Sequence, residues 1–214
     1  MSSSGKQEII KLSKAIRQRK PDADLYHRRG SAYHRINENQ KALQDYDSAI
    51  SLDPSFAVAY RNRAVAYECL GQLERALADY STAISLDPQE ALAYINRAAL
   101  YERLGESQKA KLDYETVIGF LSRALTADPT ESKLYCFRGA AYNFSGQLEQ
   151  ALDDLNVAIR LDPGYGKSYR HRGEVFCKLG RYAEAQADLS TALSLDPQNP
   201  IILGLLENLR KRKQ

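Results

Sequence analysis

The 214-residue chain has no tryptophan, one methionine and three cysteines. Cys69, Cys136 and Cys177 are odd in number and lack Cys-x-x-Cys spacing, so neither a disulfide framework nor a zinc site is expected. A reducing, cytoplasmic setting suits such thiols. Long apolar runs are also missing. The clearest, Ile201 to Leu206, is far too short to span a bilayer, and the opening Met-Ser-Ser-Ser-Gly-Lys-Gln-Glu argues against a secretory signal. Without that signal, Asn143-Phe144-Ser145 matches the glycosylation pattern only by chance. There is no glycine-rich phosphate loop and no nucleophile elbow. His27 and His34 stand seven residues apart and His171 is remote, which gives neither metal nor triad spacing. Catalysis, a cofactor, a bound metal and a small-molecule substrate are therefore not expected. A chain of this length can bury a sizeable core without such aids.

Charge is concentrated at the ends. Residues 1–21 hold Lys6, Lys11, Lys14, Arg17, Arg19 and Lys20 against Glu8, a net +5. Residues 200–214 hold Arg210, Lys211, Arg212 and Lys213 against Glu207, a net +3, which leaves the body at −5. Basic tips can contact nucleic acid or an anionic membrane surface. Here the runs are short and carry no interleaved aromatics, so they read first as solvated helix ends, and polyanion binding is the alternative.

What the chain does have is a repeat. Asp-Pro occurs at 53–54, 87–88, 128–129, 162–163 and 196–197, spaced by 34, 41, 34 and 34 residues. If Asp-Pro is placed at positions 31 and 32 of each unit, the units begin at Ala23, Ala57, Ala91, Ser132 and Gly166. Place 4 is always tyrosine (Tyr26, Tyr60, Tyr94, Tyr135, Tyr169) and place 8 always small (Gly30, Ala64, Ala98, Gly139, Gly173). Place 11 is aromatic (Tyr33, Tyr67, Tyr101, Tyr142, Phe176), and place 20 is alanine (Ala42, Ala76, Ala110, Ala151, Ala185). Place 24 is large: Tyr46, Tyr80, Tyr114, Leu155, Leu189. Places 4, 8 and 11 lie on one stripe of a helix, and places 20, 24, 27 and 28 on one stripe of a second. Between them, place 15 is Gly71, Gly105, Gly146 or Gly180, with Asn37 in the first unit, residues that accept the left-handed helix stop. Asp-Pro ends the second helix, because the residue before proline is driven out of the α region. Twelve of the 14 tyrosines fall in these columns, so they are packing residues and not a platform for bases.

The pattern resembles the tetratricopeptide repeat (TPR), over residues 23–199. The resemblance implies an all-α fold, a right-handed α-solenoid of helix–turn–helix units. Residues 6–20 repeat the second-helix pattern and 199–213 form an amphipathic helix, as capping a solenoid requires, so about twelve helices are expected. The organisation is then a half-repeat at 1–22, units 1–3 at 23–131, units 4–5 at 132–199 and a C-terminal cap with a basic tail at 200–214. The 41-residue spacing inserts seven residues into the second helix of unit 3, around Glu115 to Leu121. Seven residues are nearly two turns, so the apolar face keeps its register. The helix either runs on from about Ser107 to Ala127 or breaks at Gly119, and the small cost of one glycine favours continuity. The array can then behave as units 1–3 plus units 4–5.

Place 7 is arginine in all five units (Arg29, Arg63, Arg97, Arg138, Arg172) and place 23 aspartate in all five (Asp45, Asp79, Asp113, Asp154, Asp188). These read as structural salt bridges and not as a ligand-binding row, since either charge beside a core is costly unless paired.

In the family, first helices line a concave groove for an extended or helical peptide. The implied groove residues are Arg28, Arg61, Asn62, Asn96, Lys133, Phe137, Lys167 and Arg170, with Val58, Leu92, Ile95, Cys136 and His171 beside them. Asn62 and Asn96 are the expected grips on a peptide backbone, because an amide both donates and accepts. One subgroup clamps chaperone C-terminal carboxylates. Arg61, Asn96 and Lys133 fit its pattern, but Val65 and Phe137 break it, so that ligand is not expected. The reading is a non-catalytic adaptor whose protein partner carries acidic and apolar side chains.

Overall fold

The computed structural model describes residues 3–18 and 22–212. Parts of the expected N-terminal half-repeat and basic tail, with Arg19, Lys20 and Lys213, lie outside the described residues. The regular elements described are twelve α-helices: α1 (Ser3–Gln18), α2 (Ala23–Arg35), α3 (Asn39–Leu52), α4 (Ala57–Cys69), α5 (Leu73–Leu86), α6 (Ala91–Arg103), α7 (Ser107–Ala127), α8 (Ser132–Phe144), α9 (Leu148–Leu161), α10 (Gly166–Lys178), α11 (Tyr182–Leu195) and α12 (Pro200–Arg212). The chain divides into two compact units, Met1–Ala110 and Lys111–Gln214, with the division inside α7.

In the first unit α2 pairs with α3 and α4 with α5, while α1 packs on α2, α3 on α4 and α5 on α6. The first helices α2, α4 and α6 are also neighbours in turn. The second unit repeats the scheme with the pairs α8–α9 and α10–α11, and α8, α10 and α12 adjoin one another. The alanines of place 20 are fully buried, and so, to within 1% exposure, are Tyr46, Tyr80, Tyr114, Leu155 and Leu189 of place 24. Small residues face them: a Cβ on Gly139 would lie 2.8 Å from Leu155 Cγ, so the paired helices meet at backbone distance.

Two turn chemistries set the period. Place 15 takes positive φ in every unit, from 63° at Asn37 to 82° at Gly146, and this left-handed residue lets the next N–H close back on the helix. Thus Gln72 N–H donates to Tyr67 O at 2.9 Å. The aspartate before each proline is extended, as at Asp53 (φ −137°, ψ 92°). In the first four repeats its carboxylate accepts from the residue two places on, as where Ser55 N donates to Asp53 Oδ1 and Gln89 N to Asp87 Oδ1, both at 2.9 Å; Asp196 instead accepts from Asn199 Nδ2 at 2.9 Å. Hydrogen bonds from Ser55 hold the Asp53 carboxyl below its ordinary pKa.

The inserted heptad is absorbed without a break. α7 runs through Gly119, and Tyr114, Val117, Leu121 and Leu125 are buried along one stripe. Both heptad copies supply a position equivalent to place 25, Glu115 and Ser122. α8 uses the later one: Arg138 Nη1 donates to Ser122 Oγ at 3.0 Å. Glu115 is exposed, 3.8 Å from Lys111 Nζ.

That contact belongs to a pattern repeated along the chain. Arg63 Nε and Nη2 grip Asp79 Oδ2 and Oδ1 at 2.7 and 2.8 Å, and Nη1 donates to Asp47 Oδ1 at 2.6 Å on the preceding unit's second helix. Arg29 holds Asp45 at 2.7 and 2.6 Å and Ser13 at 3.2 Å. Arg138 holds Asp154 at 2.7 Å through both nitrogens, and Arg172 holds Asp188 in the same way and Asn156 at 2.7 Å. Arg97 donates to Ser81 at 3.0 Å, and Asp113 is buried on α7. Each guanidinium also lies against the place-4 ring, Arg63 Cζ being 5.3 Å from the centroid of Tyr60. The hydrogen bonds that Arg63 donates to Asp79 push its guanidinium further into its charged range, against the effect of burial. Arg63→Leu is expected to destabilise the protein by about 3 kcal/mol, since it strands the buried Asp79. Arg63→Leu with Asp79→Leu should recover a good part of that loss in urea unfolding. An equal loss in the two variants would assign the arginine's value to the preceding unit alone.

Candidate partner-binding face

In each unit the successive first helices adjoin and present one face. Consider Met1–Ala110. Arg28 is exposed on α2 and lies 3.5 Å from Asp24 Oδ2. Arg61 on α4 has a side chain only 16% exposed: its Nε lies 3.3 Å from Glu90 Oε1, and its Nη1 donates to Asn62 Oδ1 at 2.8 Å. Asn62 Nδ2 donates to His27 Nε2 at 2.8 Å and reaches Ser31 Oγ at 3.4 Å. Both ends of the Asn62 amide are thus engaged inside the protein. Asn96, half-buried on α6, has no side-chain hydrogen bond among the described residues and keeps its amide open. Ile95 is buried and forms part of the packing, not of the apolar surface expected from its place in the repeat.

In Lys111–Gln214, Lys133 on α8 and Lys167 on α10 are exposed, and Phe137 is half-buried. Lys167 Nζ stands 6.0 Å from the Tyr165 ring centroid. Cys136, fully buried, packs in the core and offers no surface. Arg170 pairs with Glu174 Oε1 at 2.6 Å and donates through Nη2 to His171 Nε2 at 2.8 Å. His171 Nδ1 then faces Glu174 Oε2 at 3.1 Å, so the neutral ring accepts on one side and donates on the other. Glu174 Oε2 also accepts from Asn143 Nδ2 at 3.4 Å, and Lys178 Nζ donates to Asn143 O at 2.6 Å. A small recess of about 140 Å³ is bordered by Tyr165, Lys167, Arg170, Asn199 and Ile202.

Each unit's face is therefore less cationic than the sequence implies, because Glu90 neutralises Arg61 in the first and Glu174 neutralises Arg170 in the second. Glu174 follows Arg170 by four residues, a helical spacing that signals a pair. Glu90 carries no comparable signal. It ends one repeat and meets an arginine near the start of the same repeat, a full helix pair earlier in the chain.

Among the described residues no cluster of three or more His, Cys, Asp or Glu side chains could hold a metal ion, and no helix is long and apolar enough to cross a membrane.

The helix pairs and their period match family models described as TPR repeat over residues 31–71 and 69–105, and as tetratricopeptide repeat over 91–130, 132–165 and 166–199. The chain belongs to the tetratricopeptide repeat family. No curated protein matches it. A thermophilic TPR protein of Thermus thermophilus is 22% identical, with 88% of this chain and 97% of that one covered and a TM-score of 0.66. A TPR protein from Parabacteroides merdae is 22% identical over 94% of this chain and 91% of its own, with a TM-score of 0.49. YrrB, described as a TPR protein with an unusual peptide-binding site, is 21% identical, covers 90% and 96%, and has a TM-score of 0.45. At these identities the Thermus likeness concerns the fold alone. TPR chains serve in general as protein-interaction scaffolds.

Each of the two compact units of this TPR chain carries a histidine whose pKa is lowered, His27 in the first and His171 in the second. Burial is the main cause at both, followed by the charge of Arg61 at His27 and of Arg170 at His171. At Glu174 burial raises the pKa, but His171 and Arg170 outweigh it and keep the carboxyl well below the usual range. A depressed histidine pKa means that the unfolded chain, with a value near 6.5, binds more protons than the fold. The stabilisation is therefore full above about pH 6.5 and is lost as pH falls through and below that value. Thermal melts at pH 7 and pH 5.5 should show a drop in Tm that is smaller in His171→Gln. An identical drop in the variant would exonerate His171.

Proposed function

We propose that the chain is a non-catalytic scaffold that binds a segment of another protein on the face presented by its first helices. The segment is extended or helical and carries both acidic and apolar side chains. The observation that carries this reading is in the second unit. There Lys133 and Lys167 are exposed on the adjoining helices α8 and α10, and α8 also carries the half-buried Phe137. Exposed cations steer an acidic segment, and the apolar ring gives it an anchor. In the first unit Asn96, not Asn62, has the open amide for a partner's backbone. The thiols of Cys69, Cys136 and Cys177 are not joined in disulfides, which suits a reducing, cytoplasmic compartment. No cofactor or small-molecule substrate enters the reading.

The test is capture from a lysate at low and high salt, comparing the wild type with Asn96→Ala/Lys133→Glu/Lys167→Glu. All three positions lie off the core, so the variant should melt like the wild type. Proteins kept by the wild type at high salt and lost by the variant would name the partner. If both proteins capture the same set and it disappears as salt rises, binding belongs to the basic termini and the face is not the site.

A further inference from the structure

The first unit contains a chain of four side chains that joins two repeats: Glu90, Arg61, Asn62 and His27. Its hydrogen positions follow from chemistry. A guanidinium only donates, so Arg61 Nη1, 2.8 Å from Asn62 Oδ1, fixes that atom as the amide oxygen. Ser31 fixes the other end. Its hydroxyl hydrogen goes to His27 O at 3.0 Å, which leaves Ser31 Oγ an acceptor toward Asn62 Nδ2. The amide nitrogen therefore faces His27, and His27 Nε2 must accept at 2.8 Å. The ring is thereby neutral, with its proton on Nδ1, and Nδ1 is buried with no partner among the described residues. The protein tolerates a stranded N–H in order to keep Nε2 as an acceptor.

The surroundings offer an imidazolium little support. On α2, Asp24 favours the charged ring, but Asp24 is shared with Arg28, 3.5 Å away. The α3 side presents the Tyr46 ring at 6.0 Å, the turn before α4 presents Phe56 at 4.9 Å, and α4 presents Arg61. Glu90 lies behind Arg61 and is committed to it.

A proton taken up from solvent goes to Nε2, which holds the ring's available lone pair. An N–H then points at the N–H groups of Asn62 across 2.8 Å, and the bond cannot survive. Flipping the amide would restore it only by turning Asn62 Nδ2 onto Arg61 and giving up Ser31. The whole contact therefore fails together. We infer that the His27–Asn62–Arg61 chain is a proton-operated latch: it holds the Asn62 amide inside the protein while His27 is neutral, and releases that amide to the partner-binding face when His27 is protonated. The same event adds a positive charge beside Arg28 and Arg61, on the face proposed to meet an acidic segment. This rests on the partner-binding reading for its purpose, but not for its operation.

The experiment is an NMR titration of the full chain from pH 8 to pH 5, following the His27 ring and the Asn62 side-chain amide. The Asn62 amide signals should move with the His27 midpoint, and that midpoint should lie below 6.5. In Asn62→Ala the neutral ring loses its reward, so the midpoint should rise by about 0.5–1 pH unit. His171 should titrate unchanged and so report an intact fold. Asn62 signals that stay still through the His27 titration, or a His27 midpoint unmoved in Asn62→Ala, would overturn the latch. No partner is needed, so this failure is distinct from failure of the partner-binding face, which the capture experiment reads.

Discussion

The structure depends on a guanidinium that reaches three helices at once. The seam between paired helices is made of alanine and glycine, and such residues bring backbones close but hold little in place by themselves. Arginine at place 7 supplies what they cannot: a fork onto its own unit's aspartate and a third nitrogen onto the unit before. The aspartate is buried, so the pair cannot dissolve into water when a helix loosens. Repeat arrays are held by nearest-neighbour terms. Here the term is a directional, charge-assisted bond laid over an apolar seam, and it ties intra-unit packing to inter-unit packing through one side chain.

The first-helix faces of the two units use the same chemistry with a different outcome. Arg61 and Arg170 also meet carboxylates, here of half-buried glutamates, whose effect is to cancel charge that a sequence count would assign to a ligand. On the reading proposed above, recognition falls to fewer groups than the sequence suggests: the amide of Asn96, the exposed Lys133 and Lys167, and the half-buried Phe137.

The fold was readable almost entirely from residue columns. Asp-Pro, the left-handed turn residue, the small places 8 and 20 and the large place 24 each encode a local rule that acts within one unit. The fork from place 7 to place 23 is of that kind as well. The third contact, onto place 25 of the unit before, was missed because Ser13, Asp47, Ser81, Ser122 and Asn156 share polarity but not identity. The first-helix faces are less legible. Asn62 reads from the sequence as a grip on a peptide backbone, whereas its amide is bonded to His27, and Ile95 and Cys136 read as surface although the structure buries them. Those outcomes depend on which side chain of the adjoining repeat happens to be within reach, and a column of similar residues does not record that.

The long helix α7 shows what kind of accident this architecture forgives. A heptad turns the helix by about 700°, only about 20° short of two full turns, so the stripe of apolar positions returns almost to where it was. Residues 115 and 122 consequently offer the same address twice, and the next arginine takes the second. A slip of five residues would have rotated the later half of the helix by about 500°, turning its polar side inward. The chain thus has a reading frame of its own, written in helical turns rather than codons: seven extra letters leave the message in frame, while five would garble everything downstream.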